Sequence, residues 1–155
     1  MTLSPAPRLA SLALFLFVAA STHGNSAEWL RTAIKKDNPE ELGYRVFVEL
    51  NCPVGQEEVE QVVEQLFIRN GLITSPYAFL EKHLQISISC FMQDKAQRNF
   101  SQEIYFSTPR NTDHPDLVYD WNFGRYGIGG REFILKSVTR SIEDAIAEYL
   151  SANFS

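Results

Sequence analysis

The chain has 155 residues, a formal net charge of −5, 45% hydrophobic and 21% charged residues, and 2 cysteines. This ordinary globular composition excludes disordered, collagen-like and cysteine-dense proteins, and it suffices for one domain of roughly 100 to 150 residues. The acidic balance argues against a nucleic-acid-binding protein, because phosphate backbones would be repelled.

The amino-terminal residues 1–27 predict a secretory signal peptide. Arg8 precedes an apolar run of about twelve residues that is too short to span a bilayer. Small residues place cleavage between Ala20 and Ala27, which leaves residues 28–155 as a single domain. The loss of one arginine and no acidic residue changes the net charge from −5 to −6. We therefore expect a secreted or periplasmic protein without a membrane span in its mature chain; an uncleaved membrane-associated helix is the alternative.

The first half of the mature chain predicts a strand followed by a helix. Residues 27–36 form either a short helix or an unstructured leader. Tyr44 to Leu50 alternates apolar and polar side chains, as a half-buried strand does. Gln56 to Asn70 carries valine, leucine and phenylalanine at helical spacing, and Asn70-Gly71 is a typical helix stop. Ser75-Pro76 suggests a short helix within residues 72–82.

The second half predicts three strands and a final helix. The strands, recognised by alternation, are Leu84 to Met92, Gln102 to Thr108 and Leu117 to Phe123. Two segments rich in proline or glycine, residues 109–115 and 124–130, predict irregular loops. An amphipathic helix begins between Arg131 and Ser137.

The order strand, helix, three strands, helix predicts an α+β fold. Its simplest packing is a two-layer sandwich in which two main helices cover one face of a four-stranded mixed sheet. The first two strands, linked through a helix, are expected to be parallel, and the last three to form an antiparallel meander.

The two cysteines predict a disulfide bond. Cys52 continues the inward parity of the first strand, and Cys90 belongs to the inward set of the second. Parallel neighbouring strands would bring both residues to the same edge of the sheet, within the roughly 7 Å that a bridge tolerates. An exported protein also meets the oxidising conditions that a bridge needs. Two buried free thiols are the alternative.

The segment Gly124 to Arg131 is the leading candidate binding site. Glycines release backbone amides, and two arginines could hold an anion. The segment matches neither a Walker loop nor a dinucleotide fingerprint, and a structural turn with positive φ angles is the alternative. The candidate binding residues are Arg125, Tyr126, Gly127, Gly129, Gly130 and Arg131, and Tyr119 and Trp121 are further contacts unless they face the core.

Signals for catalysis are weak. His114 lies between Asp113 and Asp116, but dedicated zinc sites need three or four ligands in fixed geometry, and a solvated turn explains these residues as well. No serine-hydrolase elbow occurs in the sequence. His83 is interpreted as an ordinary residue at a strand boundary. We therefore predict no catalytic residue, no metal and no cofactor. Asn99 matches the N-glycosylation pattern, which has meaning only in a eukaryotic secretory pathway.

The sequence thus favours a non-catalytic binding or accessory module of the periplasm or cell envelope. Its partner would be another protein or an envelope component, contacted through the exposed sheet face or the glycine-rich segment. Two alternatives are a small exported hydrolase that uses His114 with Asp113 or Asp116, and an acidic inhibitor or immunity-type partner of a basic enzyme.

Overall fold

The computed structural model of the chain describes residues 31–77, 80–92, 98–108 and 123–155. After a helical turn at residues 31–33, the elements are β1 (Glu41–Val48), α1 (Gln56–Arg69), β2 (Ile73–Thr74), β3 (His83–Met92), β4 (Arg98–Ser107), β5 (Arg125–Gly129) and α2 (Arg131–Phe154). The fold is α+β, as predicted. Among these residues, no helix is both long and apolar enough to cross a membrane.

The sheet is mixed and has 5 strands in the order β2-β1-β3-β4-β5. β1 is parallel to both of its neighbours, and β3, β4 and β5 are antiparallel. The predicted parallel pairing of the first two long strands is confirmed by β1 and β3. The predicted number of four strands is wrong, because two short edge strands arise where the sequence suggested other structure.

The first of these edge strands is β2, which lies immediately before Ser75-Pro76, the start of the short helix predicted within residues 72–82. Here the backbone bonds to β1: the Ile73 N–H donates to the Glu40 carbonyl at 2.8 Å, and the Ser75 N–H donates to the Leu42 carbonyl at 3.2 Å. The Ser75 hydroxyl then accepts from the Tyr77 N–H at 3.3 Å, which closes a turn. Sheet pairing therefore ends at the residue predicted to cap the helix, and described residues after it form turns, in which the Glu81 N–H donates to the Tyr77 carbonyl at 3.1 Å.

The second edge strand is β5, and it corrects the prediction of an irregular loop at residues 124–130. Arg125 to Gly129 pairs with β4 in a continuous antiparallel register. The Phe123 N–H extends this ladder by donating to the Ile104 carbonyl at 2.8 Å. The predicted strand Leu117 to Phe123 lies outside the described residues except for Phe123, whose ring packs edge-on against Phe106. β4 also begins earlier than predicted, at Arg98.

Both helices cover one face of the sheet, because apolar periodicity gives each of them one face to bury. α1 and α2 contact each other across this face. Beneath them lie the inward sets of the central strands, with Leu84, Ile86, Ile88 and Cys90 of β3 fully buried. The positive φ of Gly71, 71°, ends α1 at the predicted position. The two-layer arrangement with helices on one face is therefore present.

The disulfide between Cys52 and Cys90 is present, with the two Cα atoms 5.1 Å apart. β1 ends at Val48, and a turn then forms in which the Cys52 N–H donates to the Glu49 carbonyl at 3.0 Å. The prediction that Leu50 continues the inward strand face is wrong, since this turn leaves its side chain fully exposed. The turn nevertheless places Cys52 against the edge of the hydrophobic core, beside Cys90.

Side chains replace the backbone ladder next to the disulfide. The Cys90 N–H donates to the Glu49 carboxylate at 3.1 Å, and the Cys90 carbonyl accepts from the Asn51 side-chain amide. These bonds satisfy backbone groups of β3 beyond the end of β1. The edge that holds the bridge is consequently tied to β3 by both covalent and polar contacts.

Residues 31–40 pack against the carboxyl half of α2. Ile34 is buried, and the Lys36 N–H donates to the Asn153 side-chain oxygen at 2.9 Å. The Tyr149 hydroxyl donates to the Pro39 carbonyl at 3.0 Å, and burial raises the pKa of this hydroxyl to about 12. From residue 31 onward, the segment before β1 is therefore part of the folded domain.

Candidate functional site

The face of the sheet opposite the helices, here called the outer face, carries a cluster of exposed apolar side chains. Phe91 of β3 lies opposite Asn99 of β4, which lies opposite Ile128 of β5; Ser101 lies opposite Tyr126 in the next row. The exposed fractions are 60% for Phe91, 90% for Tyr126 and 52% for Ile128. We call these five residues the outer patch. They border an open depression of about 540 Å³.

The outer patch combines apolar walls with small polar groups at its centre. Phe91 and Ile128 stand on either side of Asn99, and Tyr126 stands beside Ser101. Scattered exposed apolar residues are normal on proteins, but exposed apolar side chains grouped around one depression are typical of interaction sites. The arrangement can therefore bury apolar area against a partner while amide and hydroxyl groups supply directional hydrogen bonds.

Tyr126 and Ile128 both lie in the predicted binding segment, although only Tyr126 was named as a contact; Phe91, Asn99 and Ser101 were not. Phe91 has the outward parity of the predicted strand Leu84 to Met92, whereas Asn99 precedes Gln102, where the next strand was predicted to begin. A phenylalanine at a solvent-side position of a predicted strand is unusual. The sequence has one at Phe91 and another at Phe47, whose side chain is 57% exposed on the same outer face.

The glycines of β5 serve close packing. Gly127 and Gly129 have inward parity, and the Phe133 ring from the first turn of α2 lies against them. A Cβ atom at residue 129 would lie 2.9 Å from the Phe133 Cβ, and one at residue 127 would lie 3.1 Å from the Phe100 Cε1. Neither glycine has a positive φ, since Gly71 alone has one in the described part of the chain. The sequence interpretation of a positive-φ turn is therefore wrong here.

Arg125, the first residue of β5, and Arg131, the first residue of α2, both have acidic partners on the helices. Arg125 donates through Nε to the Ser141 hydroxyl at 3.0 Å and through a terminal nitrogen to Asp144 at 2.9 Å. Arg131 donates to Glu58 at 2.5 Å, which joins α2 to α1. Arg125 has inward parity and Arg131 lies in α2, so both side chains approach the helix layer. Tyr126 lies on the outer face. Gly130 is the N-cap residue of α2.

A polar cluster is buried between β4 and α2. Gln102 is 1% exposed, and its Nε2 lies 2.6 Å from the Ser141 hydroxyl and 3.3 Å from the Ser137 carbonyl. Ser141 is also the residue that accepts from Arg125, so the cluster continues to the edge of the sheet. Buried hydrogen-bonded polar groups favour one packing arrangement over others. This cluster orients β4 and β5 relative to α2.

His83 is buried at the start of β3, on the outer side of the sheet. Its side chain is 3% exposed, and Nδ1 lies 3.0 Å from the Glu81 carbonyl, which assigns the ring proton to Nδ1. Burial lowers the pKa of this imidazole below its usual range, although the hydrogen bond to Glu81 opposes part of that effect. His83 is therefore held neutral inside the fold.

The buried His83 predicts an acid-sensitive stability. Because its pKa is lowered in the folded chain, only the unfolded chain takes up a proton as the pH falls through about 6.5. The free energy of unfolding therefore keeps its full value above a pH of about 6.5. It decreases as the pH falls below this value, and it levels off below the lowered pKa of His83 in the folded chain. Urea unfolding at several pH values between 7.5 and 5 measures this dependence.

His83→Gln provides the control, because it leaves His114 and every carboxylate in place. The variant should unfold with a weaker pH dependence than the unmodified chain over the same interval. An identical dependence in both proteins would assign the titration to another group.

Several predicted residues lie outside the described part of the chain. These are His114 with Asp113 and Asp116, the possible contacts Tyr119 and Trp121, and the predicted signal peptide at residues 1–27. Within residues 31–77, 80–92, 98–108 and 123–155, no three His, Cys, Asp or Glu side chains are grouped as metal ligands would be.

No family model matches the chain, and no curated protein sequence matches it significantly.

Proposed function

We propose that the protein is a non-catalytic binding module of an extracytoplasmic compartment and that the outer patch is its contact surface. The observation that carries this proposal is the grouping of Phe91 on β3 with Tyr126 and Ile128 on β5 around one depression that spans β4, each side chain being more than half exposed. Aromatic side chains of this kind are enriched at protein interfaces, where they contribute large apolar area at low cost in conformational entropy. The partner would be another protein or an envelope component.

The compartment is supported by the disulfide between Cys52 and Cys90, because such bonds persist in oxidising environments. The apolar run at residues 9–20 supports export independently. Absence of the amino-terminal segment from the secreted chain, determined by intact mass, tests this part of the proposal. A chain found at full length in the cytosol with both thiols reduced would contradict it.

The contact surface is tested by capturing a partner from the native extracytoplasmic fraction with the oxidised chain. Phe91→Ser and Tyr126→Ser should each reduce capture at least tenfold, because central aromatic residues dominate interface energetics. Capture is measured by quantitative mass spectrometry of the retained proteins.

Matched controls are available elsewhere on the surface. Phe154 is 55% exposed at the end of α2, and Tyr77 is 57% exposed after β2. Phe154→Ser matches Phe91→Ser in residue type and exposure, and Tyr77→Ser matches Tyr126→Ser in residue type, so both controls should leave capture unchanged. Equal losses from the control and patch variants would contradict the proposal.

Two further measurements separate this surface from the alternatives suggested by the sequence. If Arg125→Ala and Arg131→Ala abolish capture while the patch variants do not, the arginines rather than the outer patch form the contact. An acidic inhibitor would lose its basic partner at high salt, whereas an apolar contact persists. We expect capture to be retained when the salt concentration is raised.

A further inference from the structure

Among the described residues, β5 is the outermost strand of the sheet, and no strand of that part of the chain pairs with its other edge. The Phe123 N–H donates to the Ile104 carbonyl, and the register places Arg125, Gly127 and Gly129 at the positions that continue this pattern toward β4. Backbone groups alternate sides along a strand. The N–H and C=O groups of Tyr126 and Ile128 consequently point away from β4.

Edge strands are commonly protected by shortness, proline, bulges or charged side chains. The β2 edge contains only two residues. Within the described part of the chain, β5 has five residues and no proline, and its outer-face side chains Tyr126 and Ile128 are uncharged. Its one charged residue, Arg125, is paired with Asp144 of α2 on the helix side. The 90% exposure of Tyr126 shows that its position is open to solvent.

We propose that this edge pairs with the β5 edge of a second copy of the chain, in antiparallel orientation about a two-fold axis at Gly127. In that register Tyr126 of each copy lies opposite Ile128 of the other. The N–H and C=O groups that point outward then meet in two hydrogen-bonded pairs, which gives four intermolecular hydrogen bonds. The β5 sequence is therefore self-complementary, and the two sheets would become one continuous sheet.

Side chains on both faces of the edge support a second copy as the occupant. On the outer face, each Tyr126 would pack across the junction against Ile128, an aromatic and β-branched pair that stabilises antiparallel strands. On the helix face, Phe133 is 56% exposed beside Gly129, so the edge also has an apolar side chain there. At the two-fold axis, Gly127 of one copy would lie opposite Gly127 of the other, and neither has a side chain that could clash.

The amount of surface available predicts a weak dimer. Tyr126, Ile128 and Phe133 together expose roughly 400 Å² per copy, or about 800 Å² per pair, which is below the standard size of a stable interface. We therefore expect a dissociation constant in the micromolar range or weaker, so that dimers form where the local concentration is high. The inference concerns backbone groups at an edge and does not require the proposed partner.

Sedimentation equilibrium of the oxidised chain over a concentration series up to about 1 mM tests this inference. Tyr126→Lys and Ile128→Lys place charges at the junction and should each weaken association at least tenfold. Ile73→Lys on the opposite sheet edge is the matched control, since Ile73 is 57% exposed and Ile128 is 52% exposed. It should leave association unchanged. Phe91→Ser should weaken partner capture without affecting dimerisation, which separates the two proposals.

The register is tested by mixing a Tyr126→Cys chain with an Ile128→Cys chain under mild oxidation. Directly opposed residues form the pair, so the mixture should give a cross-linked dimer in higher yield than either chain alone. A chain that stays monomeric at every concentration, or that associates through Ile73 instead, would overturn the inference.

Discussion

Replacing both Cys52 and Cys90 by alanine is expected to lower the free energy of unfolding by about 3 to 4 kcal/mol. The bridge joins residues separated by 38 positions, and in the chain-entropy model it acts by restricting the unfolded chain. Small domains have total stabilities of about 5 to 15 kcal/mol, so the variant should be close to unfolding at physiological temperature. Urea unfolding of the oxidised protein and of the variant measures the difference.

Chemical reduction of the unmodified chain controls for the lost sulfur atoms. Cys90 is fully buried, so alanine removes packing as well as the cross-link. Reduction opens the bridge while retaining both side chains. Similar losses in the two experiments would assign the effect to the cross-link; a loss below about 1 kcal/mol in both would contradict the chain-entropy account.

Prediction from the sequence was most accurate for segments in which apolar and polar residues alternate without interruption. Leu84 to Cys90 alternates without exception, and all four inward residues are fully buried. The same parity argument, applied to Cys52, led to the disulfide. It was misleading at Leu50, because a turn after Val48 interrupts the alternation and yet returns Cys52 to the inner side. Parity along a chain cannot reveal a turn whose hydrogen bonds depend on a neighbouring strand.

Glycine-rich composition was the main source of error. Residues 124–130 suggested a loop because glycine favours turns, but the reason for Gly129 is the ring of Phe133, which lies in the following helix. A single sequence does not show that approach, since it depends on how α2 crosses the sheet. Gln102 is different: it shares the parity of Ile104 and Phe106, so its burial could have been inferred from the pattern.

Of the residues in the outer patch, the predicted binding segment contains Tyr126 and Ile128, and only Tyr126 was named as a contact. Alternation separates inward from outward positions, but it does not say which outward residues of different strands become neighbours. That information lies in the register, which brings Phe91, Asn99 and Ile128 into one row. Outward phenylalanines are therefore informative only when strand order and register are known.

Gly129→Ala is expected to destabilise the fold by about 1 to 3 kcal/mol, the usual cost of overpacking. The added methyl group would lie 2.9 Å from both Cβ and Cγ of Phe133, and nearer still to its Cδ1. These atoms are close to the backbone of α2, so the ring cannot move aside by a simple rotation. Urea unfolding of the variant measures the loss.

A double-mutant cycle identifies the cause of this loss. In a Phe133→Gly background both the ring and the Cβ atom are absent, so Gly129→Ala should cost much less than it does in the unmodified protein. Gly127→Ala should have a smaller effect, because its nearest neighbour would be the Phe100 Cε1 at 3.1 Å, at the outer end of a ring. An equal cost of Gly129→Ala in both backgrounds would show that glycine is required there by the backbone of β5 and not by the approach of α2.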